Sequence, residues 1–185
     1  MTMPATKATE AFSLIDTLVA LKDENLSGLE FGLQRLQKMI AEIEKSQLVV
    51  SYSLWGAYYG LIDDVENMHK YYALAVSSSP ASSAVYANYS AILLVVKDYE
   101  GAMRMMGKAL ERSPSELKYI TDMLYISKKA NKEDVYLYWM EKYRDLGKIE
   151  EDLPSDERFS IACQSPSVMS LLNDEHEDLA WEHLQ

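Results

Sequence analysis

Two prolines, Pro80 and Pro114, stand 34 residues apart, and a whole pattern of residues moves with them. Before Pro80 the chain reads Tyr52-x-x-Trp55-Gly56-x-x-Tyr59, then Met68-x-x-x-Tyr72-x-x-Ala75; before Pro114 it reads Tyr86-x-x-Tyr89-Ser90-x-x-Leu93, then Ala102-x-x-x-Met106-x-x-Ala109. A period of this length is one helix–turn–helix unit. Such a unit cannot bury its apolar faces alone and has to stack on a neighbour. The chain is therefore expected to be all-α, with helical hairpins over about 49–80 and 83–114, inter-helix turns near Asp63-Asp64 and Asp98, and no strand within 49–146. Stacked hairpins present curved binding surfaces and seldom carry chemistry.

Each repeated position has a packing role. Gly56 and Ser90 in the first helix, and Ala75, Ala102 and Ala109 in the second, are small enough to let a neighbouring helix approach. Tyr52, Trp55, Tyr59, Tyr72, Tyr86 and Tyr89 fill the space between layers. Pro80 and Pro114 follow Ser77-Ser78-Ser79 and Arg112-Ser113, where a helix has to stop. Aromatics at helical spacing are first of all core; a ligand-stacking platform is the alternative.

Residues 49–116 resemble tetratricopeptide repeats, whose pattern runs from an aromatic through a Leu-Gly pair, a tyrosine, a small residue and a second aromatic to a small residue and a proline. Gly56, Tyr59, Tyr72 and Ala75 match in the first repeat, which departs by placing Met68 at the first small position. The second restores that position with Ala102 but has Ser90 for glycine and Met106 for the aromatic. Asp98-Tyr99-Glu100-Gly101-Ala102 looks like the family's turn and second-helix start. A degenerate copy extends over 117–146, with Ile120, Met123, Leu124, Met140 and Tyr143 at core positions and Tyr136 where a small residue belongs. The resemblance implies a right-handed α-solenoid of antiparallel helix pairs, a single domain over 1–185 with repeats at 49–82 and 83–116.

Flanking segments are read from pattern. Residues 1–10 look frayed. Residues 11–45 form an N-terminal hairpin: Phe12, Leu14, Ile15, Leu18, Val19 and Leu21 on one helix, then Leu29, Leu33, Leu36, Met39, Ile40 and Ile43 on a helix that Ser27-x-x-Glu30 opens as a capping box. Gly147 marks a helix stop. Residues 148–185 differ in kind, with a break at Asp152-Leu153-Pro154-Ser155, a helix start at Ser165-Pro166 and short helices expected near 155–163, 166–172 and 174–184. The last carries Leu179, Trp181 and Leu184 and reads as a short helical cap on the solenoid end.

Charge singles out that same segment. Of a formal net charge of −11, residues 150–185 supply −9, with ten acidic side chains against Arg158 alone. They solubilise, cap, or dock on a basic surface, either a partner's or the chain's own end at Lys118, Lys128, Lys129 and Lys132. An acidic chain of this kind is not built for nucleic acid or anionic membrane. No apolar run reaches bilayer length, the stretch from Ala91 to Val96 being far too short, and the first residues lack signal-peptide organisation. One cysteine, Cys163, makes no internal disulfide and fits a reducing cytoplasm; it reads as an inert thiol.

Catalytic constellations are missing from the pattern. His176 and His183 share a helix face without a third ligand, the family resemblance turns His69 outward, and no phosphate-binding or nucleophile-elbow motif occurs. No metal or cofactor is expected. In the tetratricopeptide family the first helices line a concave groove. The resemblance places Ser53, Ala57, Leu61, Ala87, Asn88, Ala91, Leu94, Lys118, Tyr125 and Lys128 there, apolar and small-sided at one end and basic at the other. Asn88 and Lys118 match positions of the family's clamp for chaperone-tail carboxylates. Ser53, Ala57 and Asp122 depart from it, which argues against that ligand. The expectation is a non-enzymatic, cytoplasmic protein-binding module that resembles bacterial secretion chaperones and holds a protein or peptide in its groove. The alternative is an antitoxin or immunity-type protein that covers a basic effector with its acidic segment. A homodimer stays open.

Overall fold

The computed structural model describes residues 6–23 and 28–148. These residues form eight helices: α1 (Lys7–Asp23), α2 (Leu29–Ile43), α3 (Leu48–Leu61), α4 (Val65–Ser78), α5 (Ser83–Val95), α6 (Tyr99–Arg112), α7 (Leu117–Lys129) and α8 (Glu133–Asp145). They pack as adjacent antiparallel pairs in a repeat-like arrangement, α1 with α2, α3 with α4, α5 with α6 and α7 with α8. The expected hairpins at 49–80 and 83–114 are present, and no strand occurs among the described residues. The short helices expected beyond residue 148 lie outside the described residues.

The turns carry the period more faithfully than the side chains do. Asp63, Lys97 and Asn131 have positive φ angles of 59°, 64° and 55°. After each of them the next N–H reaches back five residues, from Asp64 to the Tyr59 carbonyl (2.9 Å), from Asp98 to Leu93 (2.8 Å) and from Lys132 to Ser127 (2.9 Å). Together with the shorter bonds from Asp63 to Gly60, Lys97 to Leu94 and Asn131 to Lys128, this is a Schellman turn built three times. The third hairpin, degenerate in side chains, therefore shares the backbone of the first two. α8 stops the same way at Gly147, φ 73°, as its position in the sequence implies.

Caps and packing follow from named residues. The Asp64 and Asp98 carboxylates accept the Asn67 and Gly101 N–H groups at 3.1 and 2.9 Å, and the Ser82 hydroxyl accepts Val85 N–H at 3.3 Å. One sequence expectation needs correcting at the start of the chain. α1 begins at Lys7, inside the stretch expected to fray, because Ala8 and Ala11 are buried and Lys7 pairs with Glu42 at 2.6 Å. α2 is entered through Gly28 in a left-handed conformation with no side-chain cap, and Ser27 lies outside the described residues.

The small residues do what their size implies. A Cβ on Gly56 would sit 2.5 Å from Tyr72 Cδ2, and one on Gly60 would sit 2.3 Å from Ile92 Cγ2, so the α3–α4 and α3–α5 approaches both require glycine. Ala75, Ala102 and Ala109 are fully buried, and the Ser90 hydroxyl donates to the Ala102 carbonyl at 2.7 Å across α5 and α6. Arg112 ties successive hairpins together. Its Nε donates to the Pro80 carbonyl at 2.9 Å while its guanidinium lies over the Tyr86 ring.

Candidate functional site

The first helix of each hairpin was expected to line a groove, and the structure divides those positions sharply. Ser53, Ala57 and Leu61 on α3, and Ala87, Asn88 and Ala91 on α5, are buried. Leu94, Lys118 and Tyr125 are half-buried, and Lys128 is exposed. The accessible part of the expected surface is thus the end of α5 and one face of α7. The physical reason is direct contact of α1 with α3 and of α3 with α5, through side chains small enough to admit a neighbouring backbone. A signal for this was present in the chain: α3 and α5 contain no charged residue at all. A helix without a polar face is buried all round.

α7 repeats α5 with a different surface. A shift of 34 residues carries Ala84 to Lys118, Ala87 to Thr121, Asn88 to Asp122, Ala91 to Tyr125, Leu94 to Lys128 and Val95 to Lys129. Asp122 is only 3% exposed, and Lys118 Nζ donates to its Oδ1. Its Oδ2 has no hydrogen-bond partner among the described residues, and neither has Asn88 Oδ1. Burial pushes the Asp122 carboxyl up to about 6, outweighing the opposing pull of Lys118. Lys129 stands over the Tyr125 ring, 5.2 Å from its centre. Of the expected basic end, Lys132 turns away to Glu100 (3.3 Å) and Lys118 is committed to Asp122. Lys128 and Lys129 are exposed and have no carboxylate partner among the described residues.

The aromatic residues pack mainly on one another. Tyr59 stacks on Tyr71 at 5.3 Å, Trp55 meets Tyr58 edge-on at 5.6 Å, and Tyr72 stacks on Tyr89 at 4.4 Å with its hydroxyl donating to the Asn88 carbonyl. Rings at these separations leave no slot for a ligand between them, so the packing role accounts for them. Tyr58 and Tyr71 join the cluster although the repeat pattern does not mark them, and Gln37 Nε2 donates to the Tyr58 hydroxyl at 2.8 Å. His69 is exposed on α4 and hydrogen-bonds the Tyr89 hydroxyl through Nδ1.

No group of three metal-ligating side chains occurs among the described residues, and none of their helices is long and apolar enough to cross a membrane. His176, His183 and Cys163 lie outside the described residues. Comparison with protein-family models, curated proteins and solved structures returned no match.

Proposed function

We propose that this chain is a right-handed tetratricopeptide-like solenoid acting as a non-enzymatic protein-binding module, a chaperone or adaptor that holds a partner peptide on its first-helix side. The observation that carries this reading is the α7 face. There, the small and buried Ala87 and Ala91 of α5 become half-buried Thr121 and Tyr125, and Leu94 and Val95 become exposed Lys128 and Lys129. Half-buried Leu94 and Val95 end α5 on the corresponding positions. Tyrosine and aliphatic side chains beside lysines without a carboxylate partner among the described residues suit a peptide that alternates apolar and acidic residues. The threefold Schellman turn supports the repeat architecture behind it.

Selection from a random peptide library on the full chain tests the reading. Enrichment of acidic–apolar sequences, lost in Tyr125→Ala/Lys128→Glu with unchanged circular dichroism, is the expected outcome. Equal enrichment on parent and variant would move the site elsewhere. The charge asymmetry favours a second reading, neutralisation of a basic effector by residues 150–185. That complex would weaken steeply with salt and would be indifferent to Tyr125→Ala.

A further inference from the structure

Lys128 and Lys129 of α7, which have no carboxylate partner among the described residues, have a partner of the right chemistry in the chain itself. α8 runs antiparallel to α7, so its end at Asp145 lies by the start of α7. Residues 149–185 leave from there. α7 is 13 residues long, about 20 Å at the helical rise, and the 25 residues from 149 to 173 are ample to bring 174–184 alongside it. That stretch holds Asp174, Glu175, Glu177, Asp178 and Glu182 together with Leu179, Trp181 and Leu184.

Two surfaces at this end of the molecule compete for such a segment, and charge separates them. The outer side of α8 exposes Leu137 and Tyr138, but its exposed carboxylates Glu133, Asp134, Glu141 and Asp145 outnumber Lys142 and Arg144, and Lys142 is already paired with Asp145, so the helix disfavours an acidic segment. On α7, Lys128 and Lys129 are exposed beside Tyr125 and have no carboxylate partner among the described residues. In a helical spacing Trp181 and Leu184 share a face, with Glu177 and Asp178 one turn before.

We propose that residues 174–184 dock on the α7 face, their carboxylates meeting Lys128 and Lys129 and the Trp181–Leu184 side lying on Tyr125. The chain's own segment then covers the accessible part of its binding surface, and an incoming peptide has to displace it. The contact holds or fails regardless of whether any partner binds, so its test does not depend on partner capture.

The test is zero-length carbodiimide cross-linking of the full chain at low salt, with monomer bands mapped by mass spectrometry and an equal mixture of light and heavy-isotope protein. The expected result is cross-links from Lys128 or Lys129 to Asp174, Glu175, Glu177, Asp178 or Glu182 within one chain. Their yield should fall severalfold in Trp181→Ala, which leaves the reacting groups in place. It should also fall at about 1 M salt, where the screening length drops to about 3 Å. Cross-links only between light and heavy chains would overturn the proposal in favour of a second copy. Cross-links confined to Lys142 and Lys148, or no cross-links from 174–182, would overturn it outright.

Discussion

α5 and α7 are the same helix one repeat apart, entered and left through the same backbone, yet they face different surroundings. α5 has no charge and buries Ala84, Ala87, Asn88 and Ala91. α7 has Lys118, Asp122, Lys128 and Lys129 at or beside the matching positions and buries only Asp122 among them. A repeat pattern specifies where a side chain stands in its own hairpin. Whether that position meets a neighbour or solvent depends on the next helix along. α5 has α3 beside it and packs on α6, whereas α7 rests mainly on α6 and α8.

The largest effect is expected from placing one charge at matched positions of α5 and α7. Ala87→Lys sets an unpartnered ammonium in a fully buried site and should cost about 3–5 kcal/mol in chemical denaturation. Thr121→Lys, 34 residues on and half-exposed, should stay within about 1 kcal/mol of the parent. Similar losses at the two sites would mean that α5 and α7 are equally accessible.

Next in size is the buried acid that replaces Asn88 in α7. With its folded-state value raised to about 6 from 3.8, Asp122 holds a proton in the folded chain that the unfolded chain has already released. Stability should therefore fall as pH rises from about 4 to about 6, by about 3 kcal/mol once the shift is converted to free energy. Asp122→Asn should remove that component, so the parent-minus-variant difference should slope downward across the window. An upward slope would show that the Lys118 pairing, and not burial, governs Asp122.

Glycines sharpen the contrast between interior and periphery. Gly60→Ala drives a methyl against Ile92 between α3 and α5 and should cost about 1–3 kcal/mol. Gly107→Ala on α6 meets nothing within 4 Å and should gain about 0.5–1 kcal/mol from the lost backbone freedom of glycine. The turns give an effect as small as that of Gly107. Lys97→Gly relieves a left-handed residue in a Schellman turn and should raise stability by about 0.5–1 kcal/mol, visible as a higher melting temperature.

Much of the architecture was legible because it is local. Asp64 and Asp98 announce helix starts, Gly56 and Tyr72 announce each other across a hairpin, and Gly147 announces a stop. Asn131 stands one period after Lys97 and is a residue that tolerates the left-handed region, a signal for the third turn that the broken side-chain pattern at Tyr136 obscured. The candidate surface was legible only in part. Ala57, Ala87 and Ala91 look like a smooth groove wall and stand in the interior instead, since a small residue admits a ligand and a neighbouring helix equally well. The absence of charge from α3 and α5 was the clue that separates the two. Lys132 looked like part of the basic end, but its direction toward Glu100 is set by the α6–α7 packing, which no local pattern encodes.

The most direct test of the account is the solvent exposure of matched side chains, read by NMR as methyl relaxation from a soluble paramagnetic probe added to the full chain. The Ala87 and Ala91 methyls should be protected to the level of Ala102, while the Thr121 methyl should relax strongly. Ala87 and Ala91 relaxing as fast as Thr121 would contradict it, because α5 would then line an open groove and the division between a buried α5 and an accessible α7 would be lost.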